Sequence, residues 1–190
     1  MGLDWQLGLD PNGFIASGSL RAEAAWGYNW APHSGACAPD ADPGSTCDTF
    51  EEPTNYQRIW ASTAVTRPLF GGIAFAAEIG AGAAFGQVPV QREFYMGGYS
   101  NLRGFYGGDV FGTGAWLGRL ELANDLPAAR LSLFSDVGWA GDRDQWLFDD
   151  PYVDVGLGAS LIDGVIRFDV ARAVRRGDAW RIHFYLDGLF

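Results

Sequence analysis

Along most of this chain apolar and polar side chains change places at every second residue, and one kind of backbone explains that period. Successive side chains of a β-strand point to opposite faces, so sustained alternation marks extended segments with one apolar and one polar side. The last segment is the clearest. Trp180, Ile182, Phe184, Leu186 and Phe190 share one parity, and Arg181, His183, Tyr185 and Asp187 the other. Upstream, Ile166, Phe168, Val170 and Val174 oppose Arg167 and Asp169, and Val153, Val155, Leu157 and Leu161 oppose Asp154, Gly156, Gly158 and Ser160. Leu131, Leu133, Val137 and Trp139 oppose Arg130, Ser132 and Asp136, while Trp116, Leu120 and Leu122 oppose Arg119 and Glu121. Nearer the start, Ile73, Phe75, Ile79 and Phe85 face away from Glu78 and several glycines. Phe14, Leu20, Trp26, Tyr28 and Trp30 likewise oppose Ser17, Ser19, Arg21 and Glu23, and Leu3, Trp5, Leu7 and Leu9 oppose Asp4, Gln6, Gly8 and Asp10. Only 56–67 is ambiguous, because Arg58 and Trp60 share a parity.

The pattern gives about nine antiparallel strands, most near ten residues long. Short turns at 10–13, 67–72, 124–129 and 162–164 alternate with longer loops at 31–55, 87–112 and 141–151; the 175–179 loop is shorter. Short connections at one end and long ones at the other suit a membrane barrel. A soluble sandwich or lipocalin-like barrel also alternates, so the character of the faces decides. The polar parity is rich in Gly, Ser, Ala and paired charges, as in a packed lumen. The apolar parity ends in Trp26, Trp30, Trp139 and Trp180 towards the long loops and Phe14, Phe70 and Phe190 towards the short turns. Two aromatic rows bounding an aliphatic band form a membrane girdle. The expected fold is all-β: an antiparallel transmembrane β-barrel of about eight to nine strands, one domain over residues 1–190. No run approaches the roughly 18 apolar residues of a membrane helix.

One loop stands apart: "GGYSNLRGFYGG", residues 97–108, holds a single arginine, Arg103, among five glycines and three aromatics. It lacks the G-x-x-x-x-G-K-[ST] order of a phosphate loop, and the chain has no Lys. "RGFYGGDVF" departs in its second half from the RNA-recognition strand, and a net charge of −10 disfavours any nucleic-acid partner. Glu121 and Asp136 lie on the polar faces of the next strands. A loop folding back into the barrel brings Arg103 to them, and a guanidinium fork paired with carboxylates is a strong lock where water is scarce. Cys37 and Cys47 sit in a loop rich in Pro, Gly and Asp, where a disulfide and an oxidising compartment are expected; two unpaired thiols are the alternative. With His33 the only His nearby, a metal set there is thin. His183 with Asp187 or Asp154 suggests an acid–base pair, but a lone lumenal His is more often a wall residue. Met1 is followed at once by strand-like sequence without a signal peptide, which points to a cytosolic, mature or truncated chain.

The loop, the five strands after it and the terminal Phe resemble the carboxy-terminal part of the bacterial surface-antigen barrels, the superfamily of outer-membrane protein insertases and two-partner-secretion transporters. "LRGF" at 102–105 matches the motif of the family's sixth extracellular loop. "LELANDLP" supplies Glu121, "LFSDVGWAGD" is similar to an F-x-D-x-G segment and supplies Asp136, and "IHFYLDGLF" resembles the terminal signal. The resemblance implies a lumenal latch of Arg103, Gly104, Phe105, Glu121 and Asp136, with Phe105 and Tyr106 against the inner wall, and a terminal signal carried by Phe184, Leu186 and Phe190. It implies an integral outer-membrane location and insertion or translocation of polypeptides without catalysis, cofactor or metal. The implied partners are the lipid bilayer and unfolded outer-membrane polypeptides or a second copy of the chain. Family members have sixteen strands and usually periplasmic POTRA domains; this chain resembles the last half of such a barrel, in reduced or truncated form. The alternative expectation is a small passive barrel or membrane anchor.

Overall fold

A computed structural model describes residues 2–8, 15–28, 53–124, 129–161 and 165–186. The strands are β1 (Gly2–Gly8), β2 (Ile15–Tyr28), β3 (Pro53–Pro68), β4 (Ile73–Gly86), β5 (Phe94–Met96), β6 (Val110–Gly112), β7 (Gly114–Asn124), β8 (Ala129–Gly141), β9 (Tyr152–Leu161), β10 (Ile166–Arg175) and β11 (Trp180–Leu186). Nine form one antiparallel sheet in the order β1-β2-β3-β4-β7-β8-β9-β10-β11, and β5 pairs with β6 in a separate hairpin. That hairpin lies within the β4–β7 connection, whose first part is a short 3₁₀ turn, Val90–Arg92. Among the described residues no ladder joins β1 to β11, so the barrel wall has two edges.

Alternation fixes the faces. Leu120, Leu122, Leu131, Leu133, Ile182 and Phe184 are exposed on one side, with Leu157 64% exposed. In water a continuous aliphatic surface of this extent marks an interaction site; facing lipid, it is the ordinary exterior of a membrane barrel. The other face is buried where the β5–β6 hairpin lies against it. The core there joins Phe94, Met96, Leu102, Phe105 and Val110 of the connection to Ala84, Ala115, Leu117, Ala140 and Ala173 of the wall. Small residues on the wall leave room for the large ones on the hairpin.

The hairpin also accounts for the ambiguous strand. Arg58 and Trp60 both turn inward on β3 because Phe94 gives each a partner: the Trp60 and Phe94 ring centres are 5.5 Å apart, and the Arg58 guanidinium lies 4.2 Å from the Phe94 centroid. Trp139 corrects the expected girdle. It lies on the outward parity of β8 but is only 3% exposed, and the Trp146 ring of the β8–β9 loop stands 5.8 Å from it. Phe148 of the same loop stacks on Trp116 at 5.4 Å, and Trp116 Nε1 donates to the Leu147 carbonyl at 3.1 Å. The loop thus folds down over the outer face and shields one member of the row. Trp180 and Phe70 remain exposed. Phe14, Trp30, Phe190, Cys37 and Cys47 lie outside the described residues.

Candidate functional site

The loop at 97–108 is built by its own backbone before it meets the wall. Asn101 Oδ1 accepts from the N–H groups of Gly97 at 2.6 Å and Leu102 at 2.8 Å, and Asn101 Nδ2 donates to the Tyr95 carbonyl at 3.3 Å. Gly98 N–H donates to the Phe105 carbonyl at 2.8 Å and closes the turn. Gly97 has φ 108°, and a Cβ there would fall 1.7 Å from the Tyr106 oxygen, so only glycine fits.

This turn drives Arg103 against the inner wall, where it is 1% exposed. Its Nε and Nη2 donate to Asp136 Oδ2 and Oδ1 at 2.7 and 2.8 Å, a two-pronged pair with an acid that is fully buried. Its Nη1 lies 3.5 Å from Glu121 Oε2 and 3.6 Å from Asp169 Oδ2. The guanidinium carbon sits 3.3 Å from the Phe134 ring centroid, so a carboxylate holds its edge and an aromatic its face. Gly104 N–H donates to Asp154 Oδ2 at 2.9 Å; a Cβ on Gly104 would meet Asp154 Cβ at 2.5 Å and the Ala173 nitrogen at 2.9 Å. Phe105 is buried and meets Tyr152 edge-on at 5.3 Å.

Further charges tie the acids together. Arg167 Nη2 donates to Glu121 Oε2 at 2.8 Å and its Nε to Asp169 Oδ1 at 3.0 Å, while the Tyr185 hydroxyl donates to Asp169 Oδ2 at 3.0 Å. Arg119 reaches Asp136 Oδ1 at 3.4 Å and the Ser100 carbonyl at 3.1 Å. His183 Nε2 lies 2.7 Å from the Arg103 carbonyl oxygen; a carbonyl only accepts, so the imidazole donates. That contact takes the imidazole Nε2, and Gly104 takes one oxygen of Asp154; Asp187 lies outside the described residues. Among the described residues no group of three or more His, Cys, Asp or Glu is placed to hold a metal ion.

The structure brings Arg103, Gly104, Phe105, Glu121 and Asp136 into one cluster. Tyr106 departs from expectation: it is 61% exposed, and Arg181 covers its ring at 3.6 Å from the centroid. Gly107 and Gly108 follow it and carry the chain back towards solvent. Phe134, Asp154, Asp169, Arg167, His183, Tyr185 and Asn101 were not assigned to this cluster from the sequence. The first six share the inward parity of their strands, but parity alone does not say which residues of that face meet the loop. Asn101 carries no such signal. Beside the cluster, a cavity of about 690 Å³ lies between the inner side of β2, β3 and β4, with Arg21, Glu23, Arg58, Trp60 and Glu78, and the connection, with Phe94, Met96, Ser100 and Asn101.

Comparison with known proteins places this geometry. Among solved structures, BamA from Haemophilus ducreyi lacking POTRA domains 1–3 matches with a TM-score of 0.60 at 16% identity, over 96% of this chain and 40% of that one. This likeness is one of fold, and the present chain spans well under half of that protein. No curated protein matches the sequence. The family model of the haemolysin secretion/activation protein ShlB/FhaC/HecB matches residues 3–161. The chain belongs to the haemolysin secretion/activation protein family ShlB/FhaC/HecB, integral β-barrel proteins of the outer membrane.

Proposed function

We propose that this chain is a transmembrane barrel domain that moves or inserts other polypeptides at the outer membrane, and that Arg103 is the latch keeping the 97–108 loop inside it. One observation carries the latch: a guanidinium removed from water, gripped by the fully buried Asp136 and standing over Phe134. Burying an arginine on a loop is costly unless its partners are close and well aligned, so the arrangement serves to hold that loop. Gly104 and Phe105 belong to the latch because one permits contact with the wall and the other fills it. Glu121 contributes at longer range. The loop occupies the inner face of β7–β11 and leaves the cavity beside β2–β4 free for an extended chain. Phe184 and Leu186, exposed on β11, serve with Phe190 as the terminal signal. The function requires no cofactor or catalytic residue.

Lipid cannot satisfy unpaired backbone groups, so in the membrane the two edges of the sheet pair with each other, with a second copy or with strands of a longer polypeptide. Planar-bilayer conductance together with an insertion or secretion assay on a reporter polypeptide tests the function. We expect conductance, reporter transfer and a change in both when Arg103 becomes Ala. A folded, membrane-embedded chain that neither conducts nor transfers the reporter is a passive anchor, and the proposal fails.

A further inference from the structure

Three side chains on the inward face of β11 converge on the loop that carries Arg103. Arg181 covers the Tyr106 ring, His183 donates to the carbonyl of Arg103 itself, and Tyr185 meets the Tyr99 ring at 4.9 Å while its hydroxyl holds Asp169. Among the described residues β11 is an edge, paired only with β10 from Ile166↔Leu186 to Arg172↔Trp180. On its outward side Trp180, Ile182, Phe184 and Leu186 are exposed. Beyond the ladder, its inward side chains reach the loop and Asp169, an acid that also faces Arg103.

We infer that Arg181, His183 and Tyr185 are positioning residues that make the edge strand and the loop one mechanical unit. The inference rests on the latch reading of Arg103 and adds a consequence: releasing the loop loosens β11, and displacing β11 unseats the loop. Coupling of this kind is reciprocal, because two elements that share contacts shift each other's equilibrium by the same factor. The central link is the shortest one. His183 grips the residue whose side chain is locked to Asp136, so the Arg103 carbonyl is held from β11 while its side chain and N–H are held from β8. Tyr185 adds a second route, since Asp169 faces both the Tyr185 hydroxyl and Arg103 Nη1.

Hydrogen exchange read by mass spectrometry tests this on the full chain folded in bilayer nanodiscs, following peptides that cover 97–108 and 180–186. Arg103→Ala is expected to speed exchange in both, although it alters no residue of the β10–β11 ladder. His183→Leu is expected to speed both by roughly tenfold, the scale set by losing a half-buried hydrogen bond and leaving its acceptor without that partner. His183→Gln, whose amide donates to the same carbonyl, is expected to restore most of the protection. If Arg103→Ala mobilises 97–108 while 180–186 keeps its wild-type exchange, the coupling is wrong and the latch stands. If Arg103→Ala leaves 97–108 unchanged, the latch is wrong and the coupling falls with it. A His183→Gln chain as loose as His183→Leu removes the hydrogen bond from the argument. Should Arg103→Ala not fold, Tyr99→Ala decides: it alters an exposed loop residue, is expected to speed exchange at 180–186, and overturns the inference if it does not.

Discussion

Two arginine–aspartate clusters hold loops in this molecule, and they differ in what surrounds them. In the inner cluster Arg103 and Asp136 are out of contact with solvent, and Phe134 closes the face of the guanidinium. In the outer cluster Arg176 Nε donates to Asp150 Oδ2 at 2.7 Å and Arg175 Nε to Asp150 Oδ1 at 3.1 Å, linking the β8–β9 and β10–β11 loops. The distances match those of the inner cluster, but the side chains of the outer one are all substantially open to water. Water screens an exposed pair and competes for its hydrogen bonds, so close geometry there is worth little. Breaking a sealed pair leaves a charge that neither water nor protein satisfies. Similar chemistry is therefore expected to hold firmly in the sealed place and weakly in the open one.

The largest effect is expected from Arg103→Ala. It leaves Asp136 with the longer ion-pair contact to Arg119, at 3.4 Å, and removes the cation facing Glu121 and Asp169, at a cost of about 3–5 kcal/mol. A denaturant titration in detergent, followed by the gel shift of the folded barrel, reads this loss directly. A variant as stable as the parent would show that the inner cluster behaves like the outer one, and the contrast would collapse.

Arg103→Lys sharpens the comparison by keeping the charge and removing the fork. An ammonium makes one close contact with Asp136 where the guanidinium makes two, and it cannot lie flat on Phe134. The expected loss is about 1.5–3 kcal/mol, that of one charge-assisted hydrogen bond. A loss equal to that of Arg103→Ala would assign the lock to geometry alone; no loss would assign it to charge alone. Phe134→Leu should cost less, about 0.5–2 kcal/mol for the cation–π contact. It is measured best both in the wild-type chain and in the Arg103→Lys variant, because the effect should shrink once the planar cation is gone.

The contrast also shows what a sequence discloses. Among the described residues the nine strands of the main sheet and their faces followed from alternation, because period two reports which side of a sheet a residue occupies; the β5–β6 hairpin within the expected 87–112 loop did not. Arg103, Glu121 and Asp136 were singled out because a lone arginine among glycines needs acids and the next strands offered them. The role of Phe134 was not legible: an aromatic on the polar parity signals only an exception until the cation above it is known. Asp154, Asp169 and His183 stood on the correct face, but parity gives no height along the barrel, and height decides which of them meet the loop. Tyr106 was misplaced because the turn at Gly107 and Gly108 ends the inward excursion one residue earlier than the aromatic run suggests. Trp139 was misread because its cover, Trp146, belongs to a loop whose path alternation cannot describe.

The smallest effect is expected at Asp150, and its pH dependence isolates the open cluster. The hydrogen bond from Arg176, aided by the charge of Arg175, holds the Asp150 carboxyl below the usual carboxylate range. A folded-state pKa lower than the unfolded one contributes stability only while the carboxylate is ionised. The contribution is complete above the unfolded value of about 3.9 and is lost as pH falls through the lower folded value. Asp150→Asn should therefore leave the unfolding midpoint at neutral pH almost unchanged, because the pair is solvated. It should instead loosen the loops: Arg176 sits at φ 59°, in the left-handed region that non-glycine residues avoid, and Asp150 helps to hold it there. Exchange at 149–151 and 175–179 should rise in the variant at pH 7. The wild type should approach the variant as pH falls below about 4, and 97–108 should stay protected in both at pH 7. A clear drop in barrel stability from Asp150→Asn at pH 7 would mean that exposure does not separate the two clusters, and the value assigned to the sealed one would have to come from something other than burial.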